Sequence, residues 1–125
     1  MKMITQCELN YISSRNDKEL IFGNFLDEFY RCSDEARQSM VEVEPVKDEK
    51  IRGYLCMVAA AVERLCHIYH LNIPAWVDEP WYFAPKKVYA LNTENKEFQK
   101  YLEETSYFEY KRHNVFYGDD VLERR

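Results

Sequence analysis

Ile51-Arg52-Gly53-Tyr54-Leu55-Cys56-Met57-Val58-Ala59-Ala60-Ala61-Val62-Glu63-Arg64-Leu65-Cys66-His67-Ile68-Tyr69-His70-Leu71 is the stretch that decides the fold. Its larger apolar side chains fall at 51, 54, 55, 58, 62, 65, 66 and 69. This is the i, i+3, i+4, i+7 recurrence of one helical face. Met57 and Ala59 to Ala61 carry apolar surface further around the cylinder, so the helix is expected to be central and contacted on more than one side. The alanines admit close neighbours. Lys47, Asp48, Glu49 and Lys50 form a mixed-charge entry, and Asn72, two positions before Pro74, is suited to a left-handed cap. The pattern therefore predicts one long helix over about 47 to 71.

Towards the N-terminus, Pro45 closes a shorter helix that Ser33 caps and Asp34 and Glu35 open, running to about Val43. Before it, Asn16 and Glu19 form a loose capping box ahead of Leu20, Ile21, Phe22, Phe25, Leu26 and Phe29, a broad apolar face. Gly23 inside this helix fits either close approach of a neighbour or a tolerated neutral residue. Ile4, Cys7 and Tyr11 suggest a first helical segment.

Towards the C-terminus, residues 72–92 change character. Ile73 to Pro85 holds three prolines and four aromatics, which predicts short helical turns pinned by Trp76 and Trp81 in place of long regular structure. A helix follows Thr93 with Phe98, Tyr101, Leu102 and Thr105 as its inner stripe. Ser106 and Glu109 make an S-x-x-E capping box for a short helix ending near Asn114, a residue suited to a left-handed helix end. Val115 to Tyr117 reads as extended, Gly118 as a turn, and Asp119 or Asp120 as the cap of a last turn bearing Val121 and Leu122. The expected fold class is all-α, one compact multi-helix domain over residues 1 to 125.

Composition agrees. Only 3 Gly and 4 Pro in 125 residues argue against a turn-dense β fold, and 46% hydrophobic with 31% charged residues is globular. The formal charge is −5, with 7 basic and 11 acidic residues in the first fifty and near balance after them. Nucleic-acid binding rests on neutralised phosphates, so direct binding of that kind is not expected. The longest apolar run, Tyr54 to Val62, is about half a membrane span. Cys7, Cys32, Cys56 and Cys66 contain no C-x-x-C pair and no apolar leader precedes them, which suggests reduced thiols in a cytoplasmic protein.

Glu63, His67 and His70 stand at i, i+4 and i+7, a spacing that can bring a carboxylate and two imidazoles to zinc or iron. No second Glu-x-x-His copy and no H-E-x-x-H accompany them, so solvent-facing polar residues are the plainer expectation and a small metal-dependent enzyme the alternative. Cys66 adjoins His67 but lies on the apolar stripe. No phosphate-cradling or nucleophile-elbow motif is present, and no cofactor is expected. What remains is an aromatic and cationic set: Trp76 and Trp81, then Lys111, Arg112, His113 and Asn114 beside Phe116. Arginine and aromatics concentrate binding energy at interfaces, so these residues are candidates for a protein-partner surface, while core packing of the aromatics and an internal Arg112 carboxylate network are the plainer expectation.

Phe108-Glu109-Tyr110-Lys111-Arg112-His113-Asn114-Val115-Phe116-Tyr117, followed by Val121-Leu122-Glu123-Arg124, resembles the closing segment of small uncharacterised bacterial helical modules. The Pro74 to Phe83 segment resembles the loop that precedes it there, and the likeness spans roughly Arg52 to Arg125. Such modules occur alone or behind a helix-turn-helix domain, often in toxin–antitoxin or phage-defence gene neighbourhoods. The resemblance implies a non-catalytic accessory or antitoxin-like role, with another protein, such as a toxin-like nucleotidyltransferase, as partner. It carries over no catalytic residue, and the lack of an evident helix-turn-helix here separates this chain from the DNA-binding members.

Overall fold

A computed structural model describes residues 18 to 118. The expected segment around Ile4, Cys7 and Tyr11, the Asn16 cap, the side chains of Glu19 to Ile21 and the last turn after Gly118 lie outside the described residues. Among those described there are five α-helices: α1 Lys18–Arg31, α2 Asp34–Glu42, α3 Arg52–Tyr69, α4 Lys96–Thr105 and α5 Phe108–Arg112. The fold is all-α apart from two two-residue strands, β1 Val88–Tyr89 and β2 Val115–Phe116, paired in parallel with Val88 opposite Val115 and Tyr89 opposite Phe116. No helix among the described residues is long and apolar enough to cross a membrane.

The axis is α3. Every residue from Tyr54 to Glu63 is buried, as are Leu65 and Cys66, because α5, β2 and the turns of the 75–82 segment all pack on it. Leu55, Val62 and Leu65 have no exposed surface, and burial of such a side chain stabilises by about 1.5–3 kcal/mol. A Cβ at Gly53 would stand 3.4 Å from a Val88 methyl, so the bare glycine lets β1 lie close against the first turn of α3. The helix is shorter than predicted at both ends. At the start, the Asp48 side chain accepts from the Lys50 amide and closes a 3-10 turn over Glu49–Ile51, and Ile51 has non-helical torsions, so α3 begins at Arg52. At the end, His70 adopts the left-handed conformation (φ 56°) in place of Asn72, and the Leu71 amide donates to the Cys66 carbonyl. This is the closing pattern of a helix, on a residue type that tolerates positive φ better than most. Asn72 is instead clasped by the Gln38 amide, which donates to its carbonyl and accepts from its N–H.

Phe22, Phe25, Leu26 and Phe29 of α1 enter the core, and Phe29 meets Tyr69 edge-on at 5.3 Å. Ser33 caps α2 as predicted, accepting from the Ala36 amide. Arg37 then donates to the Phe29 and Tyr30 carbonyls near the end of α1 while stacking over Tyr69 at 4.4 Å. One side chain thus joins three helices.

The proline-rich segment forms three short 3-10 turns, Ala75–Asp78, Pro80–Tyr82 and Ala90–Asn92. Trp76 Nε1 donates to the Val41 carbonyl, and the Trp81 carbonyl accepts from Arg52 Nε beneath a cation–π stack. In α4, Asn95 caps the helix but only Leu102 of the expected stripe is buried; Phe98 and Tyr101 stack on each other at the surface. The Ser106–Glu109 capping box does not form. Ser106 Oγ donates back to the Leu102 carbonyl and accepts from the Gly118 amide, ending α4 and fastening the tail, while Glu109 points into the interior.

Candidate functional site

The polar residues of the chain converge where α5 crosses the C-terminal half of α3. Glu63 is the hub. It stands four residues after Ala59 and three before Cys66, both on the buried face of α3, and its carboxylate is 4% exposed. Arg112, at the end of α5, approaches it as a fork: Nη2 donates to Oε1 at 2.8 Å and Nε to Oε2 at 3.1 Å. Such bidentate pairs combine charge with planar fit. The same guanidinium bonds Asp78, on the turn after Pro74, and lies over the Phe83 ring at 5.1 Å. The bond to Glu63, opposed by partial burial and reinforced by Asp78, holds Arg112 above the ordinary guanidinium range.

His113 completes the group. It is fully buried, stacked on Phe83 with ring centres 4.3 Å apart, with Nδ1 2.8 Å from the Tyr82 carbonyl and Nε2 3.0 Å from Glu63 Oε1. Asn114 follows in the left-handed conformation anticipated for it (φ 64°), donates from its amide to the Ala84 carbonyl, and turns the chain into β2. Three consecutive residues, Arg112, His113 and Asn114, therefore seat the 75–84 segment, α5 and β2 on α3.

A second group lies one turn further along the same helices. Glu109 Oε2 meets His67 Nδ1 at 2.5 Å and Arg64 Nη1 at 3.8 Å, while Arg64 stacks over Tyr107 at 3.8 Å. Glu109 Oε1, Arg64 Nε and the Tyr110 hydroxyl are buried without a hydrogen-bond partner among the described residues. Burial, with the Glu109 charge second, pushes the Tyr110 phenol well above its ordinary value.

The metal constellation, the alternative expectation for Glu63, His67 and His70, is not assembled, and the solvent-facing expectation fails for Glu63. Glu63 is not solvent-facing but turned onto Arg112 and His113, His67 faces Glu109, and His70 sits exposed in the helix cap. The three point to different partners because Glu63 lies on the buried side of α3 and the imidazoles leave towards its rim. No group of His, Cys, Asp or Glu suited to a metal ion occurs among the described residues. Cys56 and Cys66 are not activated nucleophiles: burial pushes Cys56 up to about 11 and Cys66 up to about 12, leaving neutral thiols on the core face. Cys32, Cys56 and Cys66 are not in disulfides, and Cys7 lies outside the described residues.

The candidate partner set divides by burial. Trp76, His113 and Phe116 are packed inside and offer a partner almost no surface, because the 3-10 turns and β2 are folded down onto α3. Trp81 and Asn114 are half-buried, Lys111 is exposed, and the Arg112 side chain is a third exposed with its donors taken by carboxylates. Sequence reading missed Glu63 as hub, Asp78 as the outer carboxylate and Phe83 as the plate under Arg112 and His113. For Glu63 a signal was present in its spacing from Ala59 and Cys66; for Asp78 and Phe83 none was.

The arrangement defines a small helical domain in which Glu63, Asp78, Arg112 and His113, and beside them Arg64, His67 and Glu109, engage one another within the chain. Comparison with known proteins adds no relative: no family model, no curated protein and no solved structure matches the chain.

Proposed function

We propose that this chain is a non-catalytic interaction module of the cytoplasm, antitoxin-like in role, whose partner is another protein, a toxin-like nucleotidyltransferase. The observation that supports this reading is a division of labour. The titratable groups clustered beneath α5 are engaged inside the domain, whereas the segment from Leu91 to Phe108 turns apolar side chains outward. Phe108 is 67% exposed and Phe98 and Tyr101 form a stacked pair at the surface. Leu91 is 82% exposed and held in the left-handed region (φ 59°), a conformation that costs a leucine about 1–2 kcal/mol. The strained turn is braced on one side by the bond from Tyr89 to Glu103 and on the other by Gln99 donating to the Thr93 carbonyl. Strain maintained in this way, displaying an apolar side chain to water, has the character of a recognition feature. The resemblance of the Phe108 to Arg124 stretch to modules from toxin–antitoxin neighbourhoods supports the choice of partner.

The test is co-expression with a nucleotidyltransferase toxin encoded beside this gene. The chain is expected to relieve the growth arrest and to co-purify with the toxin, and a Leu91→Ser, Tyr101→Ser, Phe108→Ser variant to keep its thermal unfolding while losing both effects. A folded wild-type chain that neither rescues nor co-purifies overturns the proposal.

A further inference from the structure

The hydrogen bonds around His113 constrain where its protons are. A backbone carbonyl only accepts, so the contact with the Tyr82 carbonyl requires a hydrogen on Nδ1. Nε2 faces Glu63 Oε1, which already accepts from Arg112 Nη2 in a bidentate pair that is strong only when the carboxyl is ionised. An ionised Glu63 also only accepts, so Nε2 must carry a hydrogen as well. We infer that His113 is held in the folded protein as a buried imidazolium, the second cation of a charge-balanced quartet, and that this proton latches the segment from His113 to Gly118 onto α3.

The count closes. Facing His113 are Glu63 from α3, Asp78 from the Ala75–Asp78 turn through Arg112, the Tyr82 carbonyl and Phe83 ring from the next turn, and Arg112 from α5; Glu109 contributes its carbonyl to the His113 amide. With both ring nitrogens protonated, two carboxylates meet two cations. The Phe83 ring lies flat against the imidazole at 4.3 Å, and Arg112 shares the same ring, an arrangement suited to cations over a π face. Removing the Nε2 proton would set a ring lone pair against a carboxylate oxygen at 3.0 Å in the interior. The latch matters because β2, which begins two residues later, is the partner of β1, and the Gly118 amide beyond it is fastened to Ser106 Oγ.

Ring-nitrogen NMR on the uniformly 15N-labelled chain tests this. At pH 7, His113 is expected to show both nitrogens at protonated shifts, and raising the pH is expected to lower amide-exchange protection of residues 113–118, corrected for intrinsic rates, before that of α3. Glu63→Gln is expected to return Nε2 to the bare-nitrogen shift at pH 7. A bare Nε2 in the folded wild type, or a ring that stays doubly protonated in Glu63→Gln, overturns the inference. Should that variant not fold, the wild-type shifts decide alone.

Discussion

Replacing Arg112 with alanine removes both donors from a carboxylate that is 4% exposed. Breaking a buried ion pair from one side costs about 3–5 kcal/mol, since the remaining charge is left desolvated. Two features set the value at the lower end. The Arg112 side chain is 32% exposed, so water follows it out, and His113 still donates to Glu63 Oε1. The expected loss is about 3 kcal/mol, which for a chain of this size lowers Tm by ~12 °C. Asp78→Ala isolates the outer contact: Asp78 is 60% exposed, and the loss should stay under about 1 kcal/mol. In a Glu63→Gln background the cost of Arg112→Ala should fall by at least about 1.5 kcal/mol, the signature of direct coupling. Urea titrations followed by far-ultraviolet circular dichroism measure the wild type and all four variants. A loss below about 0.5 kcal/mol for Arg112→Ala, with unchanged m, refutes the reasoning and returns Arg112 to the partner-facing alternative, where binding alone would suffer.

Leu55→Ala, Val62→Ala and Leu65→Ala should each destabilise by about 2–4 kcal/mol in the same titrations, because all three lie in the fully buried centre of α3. Tyr110→Phe removes a hydroxyl that is buried without a partner among the described residues, so its Tm should be equal to or above that of the wild type; a fall of several degrees would mean the hydroxyl is bonded after all. The bond from Tyr89, with Lys87 nearby, holds Glu103 below the ordinary value of 4.5, so the unfolded chain binds the extra proton and the contribution of Glu103 is present above that value and lost as pH falls through the lower one. The stability gap between wild type and Glu103→Gln should therefore be flat from pH 6 to pH 8 and close below about pH 4. With a disulfide-exchange reagent at pH 8, Cys56 and Cys66 should remain unreacted in the folded protein and titrate only in denaturant, while prompt reaction of either would contradict its burial.

Helical periodicity and composition determined the all-α class and the central place of α3, and residue type determined the Ser33 cap, the turns on Trp76 and Trp81 and the left-handed Asn114, since each depends on residues within a turn or two of one another. Where helices end was less legible: the Asp48 side chain closes a separate 3-10 turn ahead of α3, and a positive φ at His70, with backbone amides bonded to the Cys66 carbonyl, ends the helix before Asn72. The S-x-x-E motif at Ser106 misled for a tertiary reason. Its hydroxyl finds the Gly118 amide twelve residues on, and its glutamate finds His67 across an interface. The same holds for the parallel pairing of β1 with β2 and for the Glu63, Asp78, Arg112 and His113 quartet, whose members are separated by up to 50 positions along the chain. Charge type and spacing say only that such residues need partners. Which carboxylate becomes the buried hub was decided by the packing of α5 across α3, where desolvation made an unpaired Glu63 too costly to keep and left Arg112 and His113 as the donors within reach.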